Sequence, residues 1–473
     1  MILNKIPYKF ILGRAFEPEI LKVVNKLEIE SPSPIHSISR SVQKSQAIMS
    51  STTSPASNSE PTTPITRHQI VIVGGGAGGI TVAAQLMRKN SNLDIAIIEP
   101  SEQHYYQPAW TLVGGGAYNI EDTIKDEKDC IPPGVKWIKA YADKFEPENN
   151  LVITRDGQRI NYQYLVVCPG IQIDWHLIEG LKDAIGKNGV TSNYSLEYAP
   201  YTWELLKNFK GGNAIFTFPS TPIKCGGAPQ KIMYLADDTF RNNGVREKSQ
   251  VMYCTAVAKM FPIPGYCEAL EKIVQRRNIQ ANYKHNLKAI RPETKEAIFA
   301  VTTDNGVEEV SIKYDFIHVT PPMSSPDFIK NSPLAVQPGG WVDVNKTTLQ
   351  HNVYPNVFAL GDASSLPTSK TAAAIRKQAP ALVENLYSLI HAQRLTGSYD
   401  GYTCCPLITG YGKTIMAEFT YENKPDSSFP FDPTEERYSM WLAKRYILPW
   451  LYWNRMLKGA PFEAESLKKL TGK

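Results

Sequence analysis

QIVIVGGGAGGITVAAQLMRK (69–89) decides the fold. Its first five residues are largely β-branched, as suits a strand buried on both faces. Gly74 to Gly79 then follow in the order G-x-G-x-x-G, and a helical pattern begins. Gly74 permits the tight turn, Gly76 lets the backbone approach a pyrophosphate, and Gly79 lets helix pack on strand. The N-terminus of the helix expected over ITVAAQLMRK (80–89) then faces the phosphates. A second strand, Asp94 to Ile98, ends in Glu99, 20 residues past Gly79, where the acceptor for a ribose hydroxyl belongs. A complete βαβ unit of this kind predicts dinucleotide binding.

Two other stretches have the same strand-then-loop form. NVFALGD (356–362) is a strand running into Gly-Asp. It resembles the second flavin motif of the two-dinucleotide-binding-domain flavoproteins, in which the Asp contacts the ribityl chain of FAD. That implies Asp362 and an FAD cofactor. The strand expected over Asn213 to Phe218 runs into PSTPIKCGGAP (219–229) instead of a second glycine motif. Pro219 and Pro222 remove N–H donors that a phosphate needs. The next strand, Gln250 to Cys254, has no acid at its end. Nicotinamide binding is therefore disfavoured in the middle of the chain, and a cysteine stands in its place.

Composition sets the outer limits. The chain has 473 residues, 42% hydrophobic and 21% charged, as in ordinary globular proteins. A net charge of +5 is too small to argue for nucleic acid. Seven cysteines are too few for a secreted disulfide framework. They show no C-x-x-C spacing and no metal-ligand spacing, so no metal site is expected. Cys225 follows Lys224 and precedes a helix expected over about Pro229 to Phe240, and both features favour the thiolate. Cys404 and Cys405 are adjacent, so in an extended segment they point opposite ways. VVCPG (166–170) sits where those flavoproteins carry an Ala-Thr-Gly-like strand end, which implies that Cys168 lies near the flavin, while Cys130, Cys254 and Cys267 read as buried hydrophobes.

Five stretches carry a closer resemblance: SEQHYYQPAWTLVGGGA (101–117), TPIKCGGAPQKIMYL (221–235), IHVTPPM (317–323), GDASSLPTSKTAAA (361–374) and YDGYTCCPLITGYG (399–412). In this order they resemble the mitochondrial sulfide:quinone oxidoreductase family over residues 66–458. The resemblance implies a redox cysteine pair, Cys225 and Cys405, beside FAD. It implies FAD contacts at Gly74, Gly76, Ala77, Gly78, Gly79, Glu99, Gln107, Ala142, Asp362, Lys370, Thr371 and Ala372. It implies hydrogen sulfide and ubiquinone as substrates, with glutathione, sulfite or a similar small molecule taking the sulfur. Cys404 departs from the family motif only by adding a neighbouring thiol. A type II NADH:quinone dehydrogenase shares the fold but needs the missing glycine motif. A non-enzymatic flavin-binding protein is the other alternative.

The expected fold class is α/β, with two tandem Rossmann-like domains of the three-layer ββα type. The expected divisions are a 1–67 extension, a 68–190 FAD-binding part and a 191–335 middle domain. A second FAD-binding part covers 336–396 and a C-terminal region 397–473. The extension is Ser-rich and, from Ser31 to Ser59, basic and free of acids, as in a mitochondrial transit peptide. Glu17, Glu19, Glu28 and Glu30 speak against this, and Met49 is a second possible start. EERYSMWLAKRYILPWLYWNRMLKG (435–459) is aromatic and cationic. It predicts two helices divided at Pro449, lying in a membrane interface through Trp441, Trp450 and Trp453. No stretch is long enough and apolar enough to span. The expected location is the mitochondrial inner membrane, peripheral, on the matrix side.

Overall fold

The computed structural model describes residues 64–461; the expected transit segment lies almost wholly outside them. Along the chain run β1 (Ile65–Val73), α1 (Ala77–Lys89), β2 (Ile95–Ile98), β3 (Arg159–Val167), β4 (Gly212–Phe218) and α2 (Ala228–Asn242). They continue with β5 (Ser249–Thr255), β6 (Val357–Ala359), α3 (Ala372–Ile390), β7 (Thr403–Gly410) and β8 (Lys413–Phe419). β1 starts at Ile65, four residues before the expected strand, because Ile65 to His68 extend the parallel pairing with β3.

β1 is central in its sheet. It pairs in parallel with β2 on one side and β3 on the other. Strand Lys136–Ile138 continues the sheet beyond β2. The first half of β3 pairs with the antiparallel strand Leu151–Thr154, and its last three residues pair in parallel with β6. Ile70, Val71 and Ile72 are fully buried, as β-branched residues covered on both faces should be. The carboxyl ends of β1, β2, β3 and β6 thus share one edge, where ligands of open α/β sheets bind.

The middle sheet is also parallel, in the order Val190–Thr191, Phe316–His318, β4, β5, Gln280–Asn282. A three-stranded antiparallel sheet (His285–Arg291, Glu296–Thr303, Gly306–Lys313) follows the Rossmann-like unit. The β7–β8 hairpin lies where two cores meet. Cys404 packs in the core of the first sheet and Cys405 in the core around β4, β5 and α2.

The C-terminal expectation needs correcting. Tyr438 to Met456 keep right-handed helical geometry throughout, alternating α and π turns. Pro449 therefore sits inside one helical run, preceded by a π turn, and does not divide two helices. Trp441 and Trp453 do not face a membrane: they are buried, at 5% and 9% exposure. Trp441 packs with Leu112, Leu235 and Ile408, and Trp453 with Tyr106, Tyr452 and His104. Aromatic, amphipathic composition suits a protein core as well as an interface, and here the core takes both rings. Trp450 is half-buried. Among the described residues, no helix is long and apolar enough to cross a membrane.

Candidate active site

The glycine loop has the form its spacing requires. Gly74 has φ +104°, a left-handed region that side chains avoid. A Cβ on Gly79 would lie 1.9 Å from the Gly74 carbonyl oxygen, so only glycine lets α1 pack this closely. A Cβ on Gly76 would meet nothing within 4 Å. That open space lies at the N-terminus of α1, which no side chain caps, so the amides at Ala77 and Gly78 are available to an anion. Glu99, at the end of β2, accepts from the Gly75 and Ser101 amides at 2.7 and 2.8 Å. Burial pushes its carboxyl up, and the two amides pull it back. An empty cradle, free amides and a tethered acid are what a dinucleotide's pyrophosphate and ribose require.

The far end of this groove is formed by the segment after β6. Asp362 follows Gly361, and burial raises its carboxyl while Lys370 and Lys224 oppose the rise. The Lys370 ammonium donates to the carbonyls of Asp362 (2.7 Å) and Ser364 (3.2 Å) and lies 3.7 Å from the Trp341 ring centre. Thr371 caps α3, its hydroxyl accepting from the Ala374 amide at 3.0 Å; Ala372 is the first helical residue. Gln107 accepts from the Lys224 ammonium. Ala142 is buried at the start of the strand Ala142–Glu146, in the core of the first sheet.

The two cysteines meet. Cys225 Sγ lies 3.4 Å from Cys405 Sγ, across 180 residues of sequence. Three local features make this possible. The Cys225 amide donates to the Lys370 carbonyl at 2.8 Å, strapping the cysteine loop to the Asp362 segment. Cys225 has φ +57°, a strained conformation of the kind that clusters at functional sites. Gly227 leaves room for the partner, since a Cβ there would lie 2.6 Å from Cys405 Sγ.

The electrostatics separate the pair. Cys225 is held well below the usual thiol range, first by the Cys405 thiol donating to it and then, against burial, by Lys231. Cys405 is pushed well up, by the same hydrogen bond and by burial. Charge is thus favoured on Cys225, the sulfur that the Lys231 ammonium reaches. Lys231, in the first turn of α2, donates to Cys225 Sγ at 3.2 Å. Sequence reasoning missed this residue, although a lysine followed three and four residues on by Tyr234 and Leu235 on the same helix face was a usable signal. Lys444 was missed as well. It is buried, with its amine pushed down to about 7 by burial and then by Lys231, and it donates to the Pro108 carbonyl at 2.8 Å.

The other cysteines stand differently. Cys404 points away from the pair, its Sγ 3.3 Å from Met416 Sδ, and burial pushes its thiol well up. Cys168 is buried beside the glycine loop, 3.7 Å from the Gly74 carbonyl oxygen, with its thiol raised by burial. Burial also raises Cys130, to about 11, and Cys254, to about 12.

A glycine loop shaped for a dinucleotide, with a thiol pair strapped to the Asp362 segment, defines the class of flavoprotein oxidoreductases. Residues 68–201 match the family model described as pyridine nucleotide-disulphide oxidoreductase. A sulfide:quinone oxidoreductase of Aquifex aeolicus has the same fold, with a TM-score of 0.70 at 21% identity, covering 86% of this chain and 95% of that one. The mitochondrial sulfide:quinone oxidoreductase of Dictyostelium discoideum is 51% identical, over 84% of this chain and 88% of its own. That of Mus musculus is 46% identical, over 83% and 87%. The chain belongs to the mitochondrial sulfide:quinone oxidoreductase family.

Proposed function

We propose that this chain oxidises hydrogen sulfide at Cys225 and Cys405 and passes the electrons through FAD to ubiquinone. The observation that carries the reading is the meeting of these two sulfurs at 3.4 Å, on a loop strapped to the Lys370 segment. FAD, when bound, supplies a two-electron acceptor between the thiol pair and the quinone. Its proposed contacts are Gly74, Gly76, Ala77, Gly78, Gly79, Glu99, Gln107, Ala142, Asp362, Lys370, Thr371 and Ala372.

The residues of the chain do the sulfur chemistry. Hydrosulfide attacks the Cys225–Cys405 disulfide at Cys405. A sulfur–sulfur bond forms there as the old one breaks, and Cys225 leaves as thiolate. Lys231 stabilises that leaving group, which departs faster the lower its pKa. A small nucleophile such as glutathione or sulfite then takes the outer sulfur from Cys405. The Cys225 thiolate and the Cys405 thiol would then re-form their disulfide, losing one proton and giving two electrons to the acceptor that bound FAD would supply.

Quinone is strongly apolar, so the reading includes a membrane-surface contact through the C-terminal run. With Trp441 and Trp453 buried, Leu442, Tyr446, Ile447, Leu448 and Trp450 are the half-buried residues left for it, beside Arg445. Trp450→Ala should weaken binding to anionic vesicles several-fold, measured by flotation, with thermal stability nearly unchanged. Equal flotation of variant and parent would remove this face from the reading. The proposed location is peripheral on the mitochondrial inner membrane, matrix side, and the proposed domain boundaries are those given above.

The test of the function is anaerobic titration of the purified holoprotein with sulfide in the presence of excess sulfite as sulfur acceptor. About one equivalent should bleach the flavin absorbance, and added quinone should restore it. A flavin that stays oxidised under excess sulfide would sink the proposal.

A further inference from the structure

Lys224 and Lys370 face one another across a parallel backbone bridge. The bridge exists because the cysteine loop lies along the segment after β6, where the Cys225 amide meets the Lys370 carbonyl. It brings two ammonium groups to one carboxylate, Asp362, whose burial both lysines offset. Burial pushes each amine down to about 8, and Asp362 pulls each back, so both remain largely protonated at neutral pH.

Their surroundings differ. Lys370 is held by two backbone carbonyls and the face of Trp341. Lys224 donates to the Gln107 side-chain oxygen and lies 5.7 and 5.9 Å from the ring centres of Trp110 and Tyr194. Among the described residues neither ammonium is in an ion pair. Two cations against one anion leave this part of the groove with an excess positive charge in a poorly solvated place, where charge acts most strongly. Such a site favours whichever state of its ligand carries more negative charge.

We propose that Lys224 is a second cation of the flavin pocket, acting with Lys370 to stabilise the bound cofactor after two electrons have entered it with a single proton. The effect is a raised reduction potential, which draws electrons away from the thiol pair. This rests on the FAD reading given above.

The test is the midpoint potential of the bound flavin, measured anaerobically by dye equilibration on holoprotein. Lys224→Met keeps the stem and removes the charge. It should lower the potential by about 30 mV, a tenfold shift in a two-electron equilibrium. Lys224→Arg keeps the charge and should stay near the parent value. An unchanged potential in Lys224→Met would overturn the inference. So would an equal shift in Lys224→Arg, because packing would then be at fault. Should Lys224→Met lose its FAD, Lys224→Gln provides the second reading. Loss in both with retention in Lys224→Arg supports the charge role, and loss in all three overturns it. Failure of the underlying reading looks different, since the parent protein would then carry no flavin.

Discussion

The loops after β1 and β4 begin from the same plan and diverge. Each leaves a parallel strand and enters a helix on the sheet's face. After β1 the connection is Gly74–Gly76, and it offers backbone N–H groups at an uncapped helix start. After β4 it is Pro219–Gly227, longer, with two prolines and a strained cysteine. The first loop works through what it lacks, namely side chains. The second works through one side chain, held where a lysine of the following helix reaches it. The same supersecondary unit can therefore present either an anion cradle or a thiolate, and the loop decides which.

If the second loop presents a working thiolate, Cys225→Ser and Cys405→Ser should each cut sulfide-dependent quinone reduction by about 10³-fold or more. FAD content should be unchanged. Full activity in either variant would break the contrast. The first loop is sharpened by two alanines. Gly76→Ala should weaken FAD binding by about 1–3 kcal/mol while the apoprotein melts as before, since its Cβ meets only open space. Gly79→Ala should prevent folding, its Cβ lying 1.9 Å from a carbonyl oxygen. Equal melting of the two apoproteins would contradict this.

Lys231→Met tests whether the helix start serves sulfur as it serves phosphate. Cys225 is held down chiefly by Cys405 and then by Lys231, so its thiolate persists to low pH. Removing the ammonium should raise the pH midpoint for alkylation of Cys225 in the reduced protein by about one unit. Reactivity is then lost from the acid side first. The smallest effect belongs to Cys404→Ser, within about twofold of the parent in turnover, because that thiol packs on Met416.

The βαβ unit was legible because glycine spacing, a strand run and an acid at a fixed distance are local constraints. β1, α1, β2, β4, α2 and β5 all lie within a few residues of expectation. The sulfur site was legible only through resemblance, since nothing local ties residues 180 apart. Lys231 and Lys444 escaped because a lysine on an apolar helix face means little until its partner is known, the Cys225 sulfur for Lys231 and the Pro108 carbonyl for Lys444. Trp441 and Trp453 were assigned to a membrane because composition records that a surface is apolar and not what covers it.

The β7–β8 hairpin pairs Cys405 with Ala417 and Cys404 with Glu418. Strand alternation gives each cysteine its own face, so hairpin register is also a choice of which sulfur meets Cys225. A slip of one residue would turn Cys404 toward Cys225 and send Cys405 into the opposite core. A one-residue deletion between Cys405 and the turn after Gly410 would thus do more than shorten a strand. It would exchange the terminals of the circuit, with the vicinal thiol as a ready-made second contact.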